Sequence, residues 1–163
     1  MAVPRVPTFG VEVVPSSKLS ALADAASYAI NPTGCGVALV AAQNVTSGSV
    51  PLITFDIEDF DSASQFTAPG TTITVAEPGF YQLSCYVAWP SNAAGYRLAQ
   101  IEVNGSTIAQ DAKPAANGIG TGCSAGIGKL LAAGDGIAVR VTQNSGSTLG
   151  ITGRLSIIRG TGT

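Results

Sequence analysis

The sequence predicts an all-β protein, a jelly-roll sandwich of about 8–10 antiparallel strands preceded by an extended N-terminal arm and one short helix. Three observations predict it. From Gly34 onward apolar residues recur at every second position rather than every third or fourth. Short apolar runs are separated by Gly, Asn, Ser and Pro at the spacing of a sandwich. After Pro32 no helical pattern returns.

The elements follow in chain order. Residues 1–15, MAVPRVPTFGVEVVP, hold three prolines and apolar residues without a helical period, which predicts an extended segment unable to form a core of its own. In SSKLSALADAASYAI, Ser16 or Ser17 can cap a helix, Leu19, Leu22, Ala26 and Ile30 fall on one stripe, and Asn31-Pro32 ends it. At about four turns such a helix is marginal alone and needs a packing partner. The division expected is therefore residues 1–33 as arm and short helix, and 34–163 as the β domain.

Within that domain the alternation predicts strands near 36–45, 50–57, 71–76, 79–89, 95–103, 106–111, 121–131, 136–143 and 150–159. Asn104-Gly105 is the sharpest turn signal. Both residues tolerate the positive φ that a two-residue hairpin between YRLAQIEV and STIAQ requires. Along 80–89, Tyr81, Leu83, Cys85, Val87 and Trp89 share the face predicted to be core, and Phe80, Gln82, Ser84, Tyr86 and Ala88 share the other. Two aromatics among small polar residues suit burial against another subunit, since each buries a large rigid area. Candidate interface residues are Phe80 and Tyr86, with Leu155 or Ile158 on the last strand according to its register.

Composition limits the chemistry. The chain has 163 residues, enough to bury a core without metal or disulfides, and is 45% hydrophobic but only 11% charged. A net charge of −2 offers no basic footprint for nucleic acid and no polybasic patch for a membrane, so neither is an expected partner. Three cysteines, Cys35, Cys85 and Cys123, read as small hydrophobes in a reducing compartment rather than a disulfide framework. The start carries no apolar run of signal-peptide length, so synthesis and folding in a cytoplasm are expected. The sequons at Asn44 and Asn104 are then ordinary turn residues.

There is no histidine in the chain, which removes the usual general base and the usual transition-metal ligand. Gly122-Cys123-Ser124-Ala125-Gly126 fits G-x-S-x-G, but the residues after it continue as strand, without the strand-to-helix turn of a nucleophile elbow. CSAGIGKL lacks the first Gly and the closing Ser or Thr of a phosphate loop. Asp56, Glu58, Asp59 and Asp61 could hold calcium only with a turn spacing that DIEDFDS lacks, so the run is expected to be a solvated acidic loop. No enzyme activity, cofactor or metal is expected.

Glu77-Pro78-Gly79-Phe80-Tyr81 opening a long strand, LLAAGDGIAVRV as strand, Gly-Asp turn and strand, and LGITGRLSIIRG as closing strand occur in an order that resembles a known family. It is the trimeric jelly roll of the globular heads of complement's first component and of tumour necrosis factor ligands. The resemblance covers roughly residues 36–160. The proline-rich start, the short helix and AGYRLAQIEVNG are in turn similar to small tail, fibre and head-decoration proteins of actinobacterial phages.

This resemblance implies a homotrimer on a virion surface, attached to a major capsid or tail protein through its N-terminal segment. Val3, Val6, Phe9, Val11, Val13, Leu19 and Leu22 are the candidate docking residues. The alternatives are a tail-tip or fibre knob binding a host-surface saccharide or protein, and a secreted trimeric ligand. Loop 112–122 would serve such a knob, but it has no aromatic to stack on a sugar.

Overall fold

The alternating segments become β-strands because one face of each can be buried while the other stays outside. The computed structural model describes residues 15–30 and 33–160, the side chains of 27–30 excepted. The chain divides into two compact units, Met1–Asn31 and Pro32–Thr163. The first contains one helix, α1 (Ser16–Ile30). Its first turn is closed by the Pro15 carbonyl, which accepts from the amides of Lys18 and Leu19. Ser16 is thus already inside the helix rather than before it, and proline precedes it as a residue pre-set to φ near −65°. Leu19 and Leu22 are exposed, and Val3, Val6, Phe9, Val11 and Val13 lie outside the described residues.

The second unit is a sandwich of nine strands: β1 (Gly34–Val45), β2 (Ile57–Asp61), β3 (Thr72–Thr74), β4 (Gly79–Trp89), β5 (Tyr96–Val103), β6 (Ser106–Pro114), β7 (Thr121–Leu131), β8 (Gly136–Gln143) and β9 (Leu149–Arg159). One sheet has the order β2-β1-β9-β4-β7 and the other β3-β8-β5-β6, with antiparallel neighbours throughout. This is the all-β jelly-roll sandwich that the periodicity predicts. Its core lies between the sheets, where Phe55, Tyr81, Ile101, Ile137, Ile151 and Ile157 are sealed from solvent. Each such side chain contributes about 1.5–3 kcal/mol by leaving water.

Two expectations change. The segment at 50–57 is not a continuous strand. Its pairing is divided: Leu52 bridges Arg140 of β8, Phe55 bridges Gly70, and the Asp56 amide donates to the Ala38 carbonyl of β1. A segment that crosses from one sheet to the other keeps its alternating burial but cannot sustain a single ladder. The acidic run is then not a loop but β2, paired with β1.

Three of its four carboxylates are occupied by the fold, Asp59 by Arg154 and the other two by backbone amides. Asp56 accepts from the amides of Val40 and Ala41, at 2.8 and 2.7 Å, and Asp61 from those of Ala63, Gln65 and Phe66. Among the described residues no three His, Cys, Asp or Glu side chains converge on a metal-sized site.

Side chains also close exposed backbone. Asn104 and Gly105 take φ of 50° and 77°, as the predicted hairpin requires. The Asn104 amide then ties that turn to the β7–β8 turn through Asp135 and the Gly136 amide. At the free edge of β7, Asp111 accepts from the Ser124 amide and Lys113 donates to the Gly122 carbonyl, which blunts a strand edge open to foreign pairing.

Amide donors at Val40, Ser124 and Ala132 lead the interactions that hold the carboxyls of Asp56, Asp111 and Asp135 below their ordinary values. A carboxyl with a depressed folded-state pKa stabilises above its unfolded value, and that stability is lost as pH falls through the folded one. Thermal stability should therefore decline as pH drops from about 4 toward 2, and Asp56→Asn should flatten that decline in a melting series.

The cysteines are free and buried. Burial raises all three thiols, Cys35 to about 12 and Cys123 to about 11, so they pack as hydrophobes. Ser124 lies mid-strand in β7 with its amide held by Asp111, which leaves no nucleophile elbow around it.

Candidate functional site

The outer face of the five-stranded sheet gathers the candidate residues. β4 sets its parity: with Tyr81, Leu83, Cys85, Val87 and Trp89 buried, Phe80, Gln82, Ser84 and Tyr86 stand outside. The registers extend that row. Ser84 faces Ser156 of β9 on one side and Gly126 of β7 on the other, and beyond Ser156 come Gly36 of β1 and Phe60 of β2. In the next row Tyr86 lies between Arg154 and Ser124; in the one before, Gln82 lies between Ile158 and Gly128. Phe80 is opposite Leu130.

The centre of this face is thus made of Gly and Ser, and its large side chains lean sideways over glycines. A Cβ on Gly36 would collide with the Phe60 ring, one on Gly128 with Phe80, and one on Gly122 would meet the Tyr86 ring at 2.8 Å. Rings laid over missing side chains restore packing to glycine-weakened strands. Phe60, Phe80, Tyr86 and Ile158 nevertheless remain 41–49% exposed, and Leu130 76%.

The ion pair of this face joins Arg154 to Asp59, Nη1 to Oδ2, at 2.5 Å. Two shallow clefts of about 250 and 410 Å³ flank it, and Tyr86 and Arg154 line both. The site offers apolar area, hydroxyls and one neutralised charge pair. It presents no acid–base dyad.

Of the sequence-predicted residues, Phe80, Tyr86 and Ile158 come together here. Leu155 does not. The register of β9 against β4 turns it inward, to 1% exposure in the core opposite Cys85, and it is withdrawn as an interface candidate. Phe60, Leu130 and Arg154 were missed. Leu130 was legible, since Gly122, Ser124, Gly126, Gly128 and Leu130 share one parity. Phe60 was hidden inside a run that reads as acidic, and only the pairing of β2 reveals it.

Comparison with known proteins places the fold. No family model and no curated protein sequence matches the chain. Among solved structures, the globular domain of zebrafish complement 1qA protein superposes with a TM-score of 0.62 at 12% identity, over 77% of this chain and 94% of that one. Eiger TNF from S. frugiperda gives 0.56 at 13% identity, over 79% and 93%. The PRD1 vertex protein P5 gives 0.57 at 14%, over 78% and 96%. At these identities the likeness is one of fold, and the fold is the jelly roll of the complement heads and tumour necrosis factor ligands. Among the described residues no helix is long and apolar enough to cross a membrane.

Proposed function

We propose that the protein is a non-enzymatic structural component of a phage virion, a homotrimeric jelly roll attached to the particle through residues 1–33. The observation that carries self-association is the outer face of the five-stranded sheet. Five large apolar side chains remain exposed there around a floor of Gly and Ser, with one ion pair. Contiguous exposed apolar surface of this kind marks an interaction site. The 12, 5, 11, 11 and 11 residues of β1, β2, β4, β7 and β9, at about 3.3 Å rise and about 4.8 Å spacing, outline roughly 790 Å², comparable to the roughly 800 Å² that each partner contributes to a stable interface. A floor of small residues lets a second copy approach closely, and the rings at its margins anchor it.

The virion assignment is supported by a shared fold with the PRD1 vertex protein and by the phage-like N-terminal segment. Attachment through the arm is supported by its composition: apolar residues among prolines are too irregular for a core, and the prolines lower the entropy lost on docking. The partner expected is a major capsid or tail protein, and the location the virion surface.

Light scattering on the isolated protein should give about 49 kDa, three times 16.3 kDa. Deleting residues 1–32 should leave a folded trimer that no longer joins purified particles. Incorporation of the truncated protein at the parental level would move attachment to the jelly roll, and a stable parental monomer would exclude the trimer.

A further inference from the structure

We propose that the loop end of the sandwich farthest from β1's start is a binding site for an uncharged saccharide, with Tyr96 as its stacking platform. The registers define that end. Trp89 pairs with Thr121, Val45 with Leu149, Arg97 with Gln143 and Tyr96 with Pro114, so loops 46–49, 90–95, 115–120 and 144–148 meet there. Gly34 and Ile158 pair at the opposite end, where the N-terminal segment enters β1.

The two ends differ in chemistry. The four loops read TSGS, PSNAAG, AANGIG and NSGST and contain no charged residue, whereas Asp61, Glu77, Asp135 and Arg159 sit at the other end. The charge bonded to the loops, Arg97, is sealed from solvent, and Asp111 and Lys113 of β6 pair with each other at 3.1 Å. A charged polymer would find no counter-charge in these loops, but hydroxyls would find Ser, Thr and Asn side chains and backbone groups.

The loops are also held in place. The buried Arg97 guanidinium donates to the carbonyls of Asn92 and Ala94. The Gln143 amide donates to Val45 and Ser147 and accepts from the Ser145 amide. Asn144 Oδ1 accepts from the Tyr96 amide at 2.7 Å, and Ser47 Oγ from the Gly146 amide. Gly95, at φ 73°, leaves no room for a Cβ beside Asn144. Loops fixed in advance lose little entropy on binding.

Tyr96 supplies the aromatic that loop 112–122 lacks. It is 40% exposed at the start of β5, beside the loop that begins at Ala115, whose amide donates to the Gly95 carbonyl. An exposed tyrosine offers a rigid apolar face to the C–H face of a sugar ring and a hydroxyl at its edge. A protein partner would want a broad apolar patch, and Ile119 is the one large hydrophobe in the four loops.

The inference does not depend on self-association or on the arm. Full-length protein is applied to an array of neutral oligosaccharides of glucose, galactose, mannose, rhamnose and arabinose, beside sialylated and uronic-acid oligomers, and the best ligand is titrated. Binding to a neutral oligosaccharide is expected, weakened at least about tenfold by Tyr96→Ala and by Asn117→Arg, with oligomeric state and melting unchanged. Asn117 is at an exposed loop tip, so its variant decides should Tyr96→Ala fold poorly. Absence of neutral-sugar binding, equal binding of acidic oligomers, or parental affinity in the folded variants overturns the proposal.

Discussion

Ile158→Glu should convert the trimer of about 49 kDa into a 16.3 kDa monomer, read by light scattering. Ile158 stands on the outer face between Gly34 and Gln82, neither of which can neutralise a carboxylate. Burying an unpaired charge costs about 3–5 kcal/mol, and symmetry repeats that cost in every subunit. The monomer should tolerate the change, because Ile158 is 43% exposed within its own chain. Tyr86→Glu should act in the same direction but more weakly, because its cross-strand neighbour is Arg154, which can share its charge between Asp59 and the new carboxylate. Ile158→Glu eluting as a trimer would remove this face from the interface.

Arg97→Ala should cost about 3–5 kcal/mol and lower the melting temperature by at least about 10 °C. Among the described residues Arg97 is the largest fully buried side chain, and no carboxylate of theirs pairs with it. Its guanidinium lies 5.9 Å from the Trp89 ring and donates to the carbonyls of Asn92, Ala94 and Tyr96, while Nε finds no acceptor. Burial lowers its pKa, so the charge is held at a cost.

Two effects oppose one another. Relief of desolvation favours removal, but alanine leaves a cavity and three carbonyls without their donor. The cavity and the lost charged hydrogen bonds exceed the relief, since each charge-assisted bond is worth about 1.5–3 kcal/mol. Arg97→Met keeps much of the volume and sheds the charge, so it should cost clearly less. Equal melting curves for the two variants would mean that packing contributes little at this site.

Much of the sandwich was legible locally. The bounds predicted for β4, β7 and β8 are those observed, because each is a period-two run with Gly, Pro or Asn at or within three residues of its ends, and the turn at Asn104-Gly105 depends on those two residues' own φ preferences. The segment at 50–57 misled for a nonlocal reason: its alternation reflects real burial, with Ile53 and Phe55 inside, but its hydrogen bonds go to partners in two sheets. Arg97 was equally opaque. Its parity with Ala99, Ile101 and Val103 turns it inward, and only the carbonyls that converge on it explain how a guanidinium is held there.

By itself the sequence determined the class of fold, the positions of most strands and turns, and the absence of histidine chemistry. These depend on what each short segment prefers and on which residue types are present at all. The tertiary structure alone decided that Ile158 and not Leu155 faces outward, that Phe60, Phe80 and Tyr86 lie over glycines of neighbouring strands, and that four uncharged loops meet around Tyr96. Which side chains share a surface depends on register and on strand order, and a shift of one residue exchanges the two faces of a strand. That choice is made by contacts between segments far apart in the chain, as when β1 pairs with β9, and a single strand's periodicity carries no record of its partner.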